Sequence, residues 1–250
     1  MSAWKKQLEQ GLDSVRSLAS WTFTAADTVL FASTAIGVSA FDPGGKCSHY
    51  VGKAWCSFNL KALGFEVSVQ GLENISPGQP YVAMVNHSSH LDVWAVYHAL
   101  PLQIRWVMKE ELRKIPFFGR ACARMGHVYV VRGDSESARK SMEEAARRIA
   151  AGTTVVFFPE GTRTKDGQLQ SFKTGGFRLA LQAQVPILPV SIAGTGSMLP
   201  PGSWRFWPGH IRMAVGTPIP TLGRPASDYP RLMQETRESI EAGLAILGRE

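Results

Sequence analysis

Tyr81-Val82-Ala83-Met84-Val85-Asn86-His87-Ser88-Ser89-His90-Leu91-Asp92 is the stretch from which the rest of the chain is read. An unbroken apolar run ends abruptly in polar turn residues, which reads as a buried strand over 80–85. Ser88 or Ser89 is a good N-cap for a helix over 88–100. Strand, turn and helix then recur along the chain. Further strands are expected at 66–70, 103–108, 127–132, 154–158, 186–192 and 210–215. Further helices are expected at 109–124 (broken at Pro116), 134–151, 173–184 and 228–247. Such alternation indicates an α/β domain with a mainly parallel mixed sheet flanked by helices. In sheets of this kind ligands bind beyond the carboxyl ends of the strands, so the chemistry belongs in the turns that follow them.

Residues 1–58 have a different character, which sets the expected organisation: N-terminal membrane-associated helices over 1–58, then the α/β domain over 59–250. Trp4, Leu8, Leu12, Val15 and Leu18 recur at helical spacing over 3–21, with Lys5, Lys6, Glu9, Asp13 and Arg16 on the other face. A Trp and two Lys at its start suit a membrane interface, while packing on the protein's own core is the commoner fate of such a pattern. Residues 29–41, VLFASTAIGVSAF, are an apolar run of 13. A bilayer crossing takes about 20 such residues. Extending back to Trp21 includes Asp27, which is costly at membrane depth, so a half-inserted helix is expected rather than a span. Asp42-Pro43-Gly44-Gly45 breaks the chain, and 46–64 reads as helical again. No secretory signal is evident.

Composition sets wider bounds. Apolar residues make up 44% of the 250 and charged residues 19%, which is ordinary for a globular protein and excludes wholesale disorder. The net charge of +7 suits nucleic acid, anionic lipid or phosphorylated substrates, and equally well does no more than keep a protein soluble. No helix-turn-helix, zinc-finger or RNA-binding aromatic motif accompanies it, so no nucleic-acid partner is expected. Three cysteines without a C-x-x-C pair point to a reducing compartment. Cys47, His49 and Cys56 can be drawn as zinc ligands, but their spacing matches no common pattern, and no metal is expected.

Within the opening stretch, His87 and Asp92 are five positions apart. Inside a regular helix their side chains would diverge by about 140°. They meet if His87 stays in the loop and Asp92 sits in the first helical turn. A carboxylate bonded to one imidazole nitrogen leaves the other free to take a proton, which makes a general base. The same two residues can equally do no more than stabilise a turn, and the short H-x4-D pattern does not decide between these.

Other blocks follow in order. They are Lys109-Glu110-Glu111-Leu112 with Pro116 and Gly119; Gly126-His127-Val128-Tyr129-Val130-Val131-Arg132; Phe158-Pro159-Glu160-Gly161-Thr162-Arg163; and Val185-Pro186-Ile187-Leu188-Pro189-Val190. Phe172-Lys173-Thr174-Gly175-Gly176 lies between the last two. The ordered set over residues 86–190 resembles the 1-acylglycerol-3-phosphate acyltransferase family. Its pattern is N-H-x4-D, K-x-E-L-x-x-x-P-x-x-G, G-x-x-[FY]-[IV]-x-R, F-P-E-G-T-R and V-P-[IV]-x-P-[VI].

The resemblance implies transfer of a fatty acyl group from acyl-CoA or acyl-carrier protein to the sn-2 hydroxyl of a lysophospholipid, with no cofactor beyond that co-substrate. His87 would be the base and Asp92 its orienting carboxylate. A phosphomonoester acceptor calls for basic groups, and the planar guanidinium of Arg bonds phosphate oxygens in pairs. By resemblance Arg163 takes that role, with Gly161 and Thr162 beside it. Glu160 would hold Arg163 or touch the glycerol hydroxyl, and Lys109, Arg132 and Lys173 would complete the cluster. Ser88 or Ser89 as a nucleophile would add a step, and a Cys122–His127 pair has no evident third partner. Acylation of glycerol-3-phosphate or lyso-ornithine lipid, and a non-catalytic lipid-binding protein, are the rival readings. Lipid substrates imply a membrane surface as partner, with the catalytic domain on its cytoplasmic face. The aromatic loop at 198–207, with Trp204 and Trp207, is read as a second membrane contact, part of an acyl tunnel, or packing on the domain.

Overall fold

The structure, a computed structural model, describes residues 3–131 and 135–248, with side chains described for 11–131 and 136–248. Arg132 and the side chains of Trp4, Lys5 and Lys6 lie outside the described residues.

Seven strands form one sheet: β1 (Glu66–Gln70), β2 (Val82–Val85), β3 (Ile104–Lys109), β4 (Val128–Val130), β5 (Thr154–Phe157), β6 (Ile187–Ala193) and β7 (His210–Val215). Their spatial order is β1-β7-β6-β2-β5-β3-β4, and the β6–β7 pair alone is antiparallel. The mainly parallel mixed sheet read from the sequence is therefore present. β2 and β5 are central and buried on both faces, which is why their sequences are continuously apolar. The alternation of side chains along a strand divides β2 between two cores. Ala83 and Val85 join one core, and Val82 and Met84 the other.

Helices cover both faces. α1 (Ala3–Val38), α2 (Lys46–Ala62), α3 (Leu91–Ala99) and α4 (Phe118–Arg124) come first, then α5 (Ser135–Ala150), α6 (Gly175–Ala183), the short α7 (Thr195–Met198) and α8 (Tyr229–Leu247). α2 and α3 pack on one face of the sheet, while α5, α6 and α8 pack on the other. The break expected at Pro116 is real. A 3-10 turn, Glu110–Lys114, precedes it, because proline cannot continue an α-helix as an interior donor. The chain then doubles back so tightly that a Cβ on Gly119 would lie 2.2 Å from the Arg113 carbonyl oxygen.

The N-terminal reading is corrected in three respects. Residues 3–21 and 29–38 belong to one continuous helix, α1, which ends at Val38, rather than to two segments. Asp27, treated as a cost at membrane depth, turns inward. Trp55 Nε1 donates to it at 3.2 Å and Asn59 Nδ2 at 2.7 Å, and burial raises its carboxyl above the usual carboxylate range despite those bonds. The boundary expected at residue 58 falls inside α2, whose Trp55, Cys56 and Leu60 belong to the main core. No helix among the described residues is long and apolar enough to cross a membrane. Trp21 donates from Nε1 to the Trp204 carbonyl at 2.6 Å and packs its ring on Phe206 at 4.8 Å. The 198–207 loop thus packs on α1, leaving Trp204 partly exposed.

One buried cation fastens the α1–α2 hairpin to the sheet. Arg105 of β3 is fully buried and donates from Nη2 to the carbonyls of Gly44 and Gly45, both at 3.1 Å. Arg105→Ala leaves these acceptors unpaired beside a cavity. It is expected to lower stability by roughly 3 kcal/mol and to expose 42–45 to proteolysis. A denaturation midpoint and cleavage rate equal to wild type would show that the hairpin is held by its apolar contacts alone.

Candidate active site

The turns after β2 and β5 face each other at the carboxyl edge of the sheet. β2 leads into α3 on one face and β5 leads towards α6 on the other, so a crevice opens where the two connections diverge. The first turn brings His87 and Asp92 together, with Nδ1 of His87 2.8 Å from Asp92 Oδ2. The same oxygen accepts the backbone N–H groups of Ser88 at 2.8 Å and Ser89 at 2.9 Å. Ser89 Oγ accepts the N–H of Leu91, the first residue of α3, at 3.3 Å, so the expected serine contact is present beside that of Asp92. The carboxylate in the first turn of α3 reaches back to the loop, while His90 stands at the N-cap without a side-chain bond to the helix. Asp92 is fully buried, and the His87 side chain is 15% exposed. A fixed carboxylate thus lies behind an imidazole that substrate can reach.

Glu160 joins the second turn to the first. Its Oε1 accepts the His87 N–H at 2.8 Å and its Oε2 accepts the Gln170 N–H at 2.9 Å. The reading of Glu160 as a partner of Arg163 or of a glycerol hydroxyl gives way to a brace between two loops. Burial raises this carboxyl above its ordinary range, and the two backbone donors oppose that rise. Gly161, at φ +72°, makes the tight turn that a side chain would strain, and the Thr164 N–H then bonds the His87 carbonyl at 2.8 Å.

Of the expected basic cluster, the charges of Arg163 and Lys109 both act on His90. His90 is pushed down to about 4, first by desolvation and then by the charge of Arg163, with Lys109 contributing more weakly. Neither cation forms a salt bridge with a carboxylate among the described residues, which leaves both charges available to an anion. Thr162 is exposed. Lys173 bonds the Pro159 carbonyl through its backbone N–H at 2.7 Å, and its side chain is exposed.

Sequence reasoning missed the aromatic floor. Phe158 stacks on the His87 ring at 3.7 Å between centroids and 12° between planes. Trp106 stacks on Phe158 from beyond, at 5.3 Å. Trp106 also lines a narrow apolar cleft of about 50 Å³ between α1, α2, α3 and α4, whose walls include Phe31, Ala32, Tyr97, Met108 and Ala121. The cleft starts one ring from the imidazole. Its composition comes from five separate elements, so no local pattern announces it.

The rival constellations fall away. Burial drives the Cys122 thiol up to about 12 and His127 down to about 3, so the two form neither a thiolate nor an imidazolium. Cys47 is exposed and Cys56 buried, and no three His, Cys, Asp or Glu groups among the described residues are placed to hold a metal.

Comparison with known proteins bears on this geometry. Residues 66–193 match the family model described as Acyltransferase. The chloroplastic 1-acyl-sn-glycerol-3-phosphate acyltransferase of Arabidopsis thaliana is 35% identical over 185 residues, covering 73% of this chain and 51% of that protein. The human alpha enzyme of the same name is 35% identical, covering 71% and 63%. A Pseudomonas aeruginosa relative of that name is 27% identical over 92% of this chain and 89% of its own length. The chain thus spans about half the length of the plant relative and most of the bacterial one. The crystal structure of the 1-acyl-sn-glycerophosphate acyltransferase PlsC from Thermotoga maritima superposes with a TM-score of 0.81 at 25% identity, covering 96% of this chain and 98% of that one.

Proposed function

Since the chain belongs to the acyltransferase family, we propose that it transfers a fatty acyl group from an acyl thioester to the sn-2 hydroxyl of 1-acylglycerol-3-phosphate, giving phosphatidic acid. The single observation that carries this reading is a His–Asp pair beside two cations without carboxylate partners. One supplies a base for a hydroxyl and the other a seat for a phosphomonoester.

The chemistry follows from the geometry. With Nδ1 held by Asp92, Nε2 of His87 takes the proton of the acceptor hydroxyl as its oxygen attacks the thioester carbonyl. The tetrahedral oxyanion collapses by breaking the C–S bond, and the imidazolium returns its proton to the leaving thiolate. No covalent acyl-enzyme is needed, because a thioester is already activated and its alignment with the hydroxyl is the main requirement. Asp92 stabilises the transient imidazolium. Arg163 and Lys109 hold the acceptor phosphate, Arg132 and Lys173 lie along the same stretch of motifs, and Glu160 keeps the two turns in register. The donor is acyl-CoA or acyl-carrier protein, and the thioester arm supplies the only non-protein chemistry.

The apolar cleft beyond Phe158 takes part of the donated chain, and Ala32 of α1 and Ala121 of α4 line it. Ala32→Phe should deny space to about two methylenes. At about 0.8 kcal/mol per buried methylene, transfer of a long chain falls by roughly tenfold relative to a chain two to four carbons shorter. An unchanged ratio of long to short donors would remove the cleft from the acyl path.

The outer face of α1 meets the membrane. Leu12, Val15, Leu18 and Leu30 are all more than 60% exposed there, and Phe58 of α2 continues the patch. An exposed apolar strip of this length is suited to lying in a lipid interface.

The acceptor panel decides the reading. Lysophosphatidate, glycerol-3-phosphate and a lysolipid without phosphate are offered separately in mixed micelles. The expected order of kcat/KM places lysophosphatidate first. Preference for the phosphate-free lipid would move the acceptor to the lyso-ornithine class and leave the cations without a substrate role.

A further inference from the structure

Three of the donors to Asp92 share one oxygen. Oδ2 faces His87 Nδ1 and the N–H groups of Ser88 and Ser89. Oδ1 is met, among the described residues, by the hydroxyl of Thr195 alone, at 2.5 Å. We propose that Thr195 is a positioning residue of the catalytic pair, its hydroxyl fixing the plane of the Asp92 carboxylate so that Oδ2 keeps its bond to the imidazole. The inference rests on the reading of His87 as the base.

Donors on one oxygen leave the carboxylate free to swing about its Cβ–Cγ bond. A donor on the other oxygen removes that freedom. Thr195 is fully buried and opens α7, directly after β6. The surrounding contacts hold it there. The Asn86 side chain accepts the Ile192 N–H at 2.8 Å and donates to the Ile192 carbonyl at 2.9 Å. The Ser89 hydroxyl donates to the Leu199 carbonyl at 2.8 Å. Residues 192–199 are thus fastened to the catalytic turn at three points, and only the Thr195 contact reaches a catalytic side chain. Nothing in the local sequence Ala193-Gly194-Thr195-Gly196-Ser197 singles out Thr195, because its partner lies 103 positions away.

Without the hydroxyl, Oδ1 is a buried carboxylate oxygen lacking a donor, and the carboxylate is held through Oδ2 alone. The charges of the pair stay in place, so the change is read in the rate and in the mobility of the imidazole.

The test compares Thr195→Val, which keeps the shape and removes the hydroxyl, with Thr195→Ser, which keeps the hydroxyl. Expected for Thr195→Val are a fall in kcat of about tenfold and KM values within about twofold of wild type. Thr195→Ser restores kcat. Should Thr195→Val not fold, Thr195→Ala carries the same comparison. The His87 ring-nitrogen resonances, which require no substrate, are expected to broaden in Thr195→Val and not in Thr195→Ser. Unchanged rate and resonances in Thr195→Val overturn the proposal, as does a lower rate that shows no broadening and no rescue by serine. Full activity in His87→Ala, with the broadening still seen in Thr195→Val, would overturn the base while retaining the positioning contact.

Discussion

His87→Ala lowers acyl transfer by about 10³–10⁴-fold, within the range that a positioned general base contributes, and Asp92→Asn follows by about 10²–10³-fold. The two losses have different origins. Alanine removes the only imidazole placed at the mouth of the crevice, and no neighbour takes its place. His90 is held far down its titration range by desolvation and Arg163, while His127 is buried elsewhere against β3. Asparagine keeps an oxygen for the two backbone N–H groups and an amide towards Thr195, so the turn survives. What it loses is the negative charge that favours the imidazolium formed when the hydroxyl gives up its proton. Rates measured on variants with matched thermal midpoints check both. Asp92→Asn at wild-type rate would reduce the aspartate to a turn-stabilising group, the other reading its sequence allowed.

The second large effect is expected at Arg163. Replacing it by alanine removes a guanidinium fork from a phosphomonoester carrying close to two charges. A charge-assisted bidentate contact of this kind contributes about 2–4 kcal/mol, so kcat/KM for lysophosphatidate falls by about 10²-fold or more. Lys109→Ala costs about tenfold, because an exposed ammonium acts as a screened point charge. Arg163→Lys recovers only part of the loss, since the paired geometry is gone. The discriminating control is a lysolipid without phosphate, whose turnover should change by less than about twofold in Arg163→Ala. Equal losses on both acceptors would mean that Arg163 supports the turn and not the phosphate.

The layout of this fold was legible because β2 and β5 are buried on both faces and therefore read as unbroken apolar runs ending in polar turns. Pro116 announced the break after β3 for the same local reason. The N-terminus misled where burial of polar groups decided the structure. Asp27 looks like an interruption in an apolar run until Trp55 and Asn59, 28 and 32 positions on, are seen to bond it. At the candidate site, His87, Asp92 and Arg163 could be picked out because they lie in short ordered blocks. Glu160 was found but read as a partner of Arg163 or of the glycerol hydroxyl, since nothing in Pro159-Glu160-Gly161 shows that both oxygens accept main-chain donors. Thr195, Asn86 and the Phe158–Trp106 stack depend on contacts between strands distant in sequence, which periodicity and spacing do not encode.

The central claim is that this His–Asp pair acylates a phosphorylated lysolipid. Its most direct test incubates the purified protein with a labelled acyl thioester and lysophosphatidate in mixed micelles and identifies the product. The account predicts phosphatidic acid labelled at the sn-2 position, formed by wild type and lost in His87→Ala. No labelled phosphatidic acid from a folded wild-type protein, with either acyl-CoA or acyl-carrier protein as donor, would contradict it.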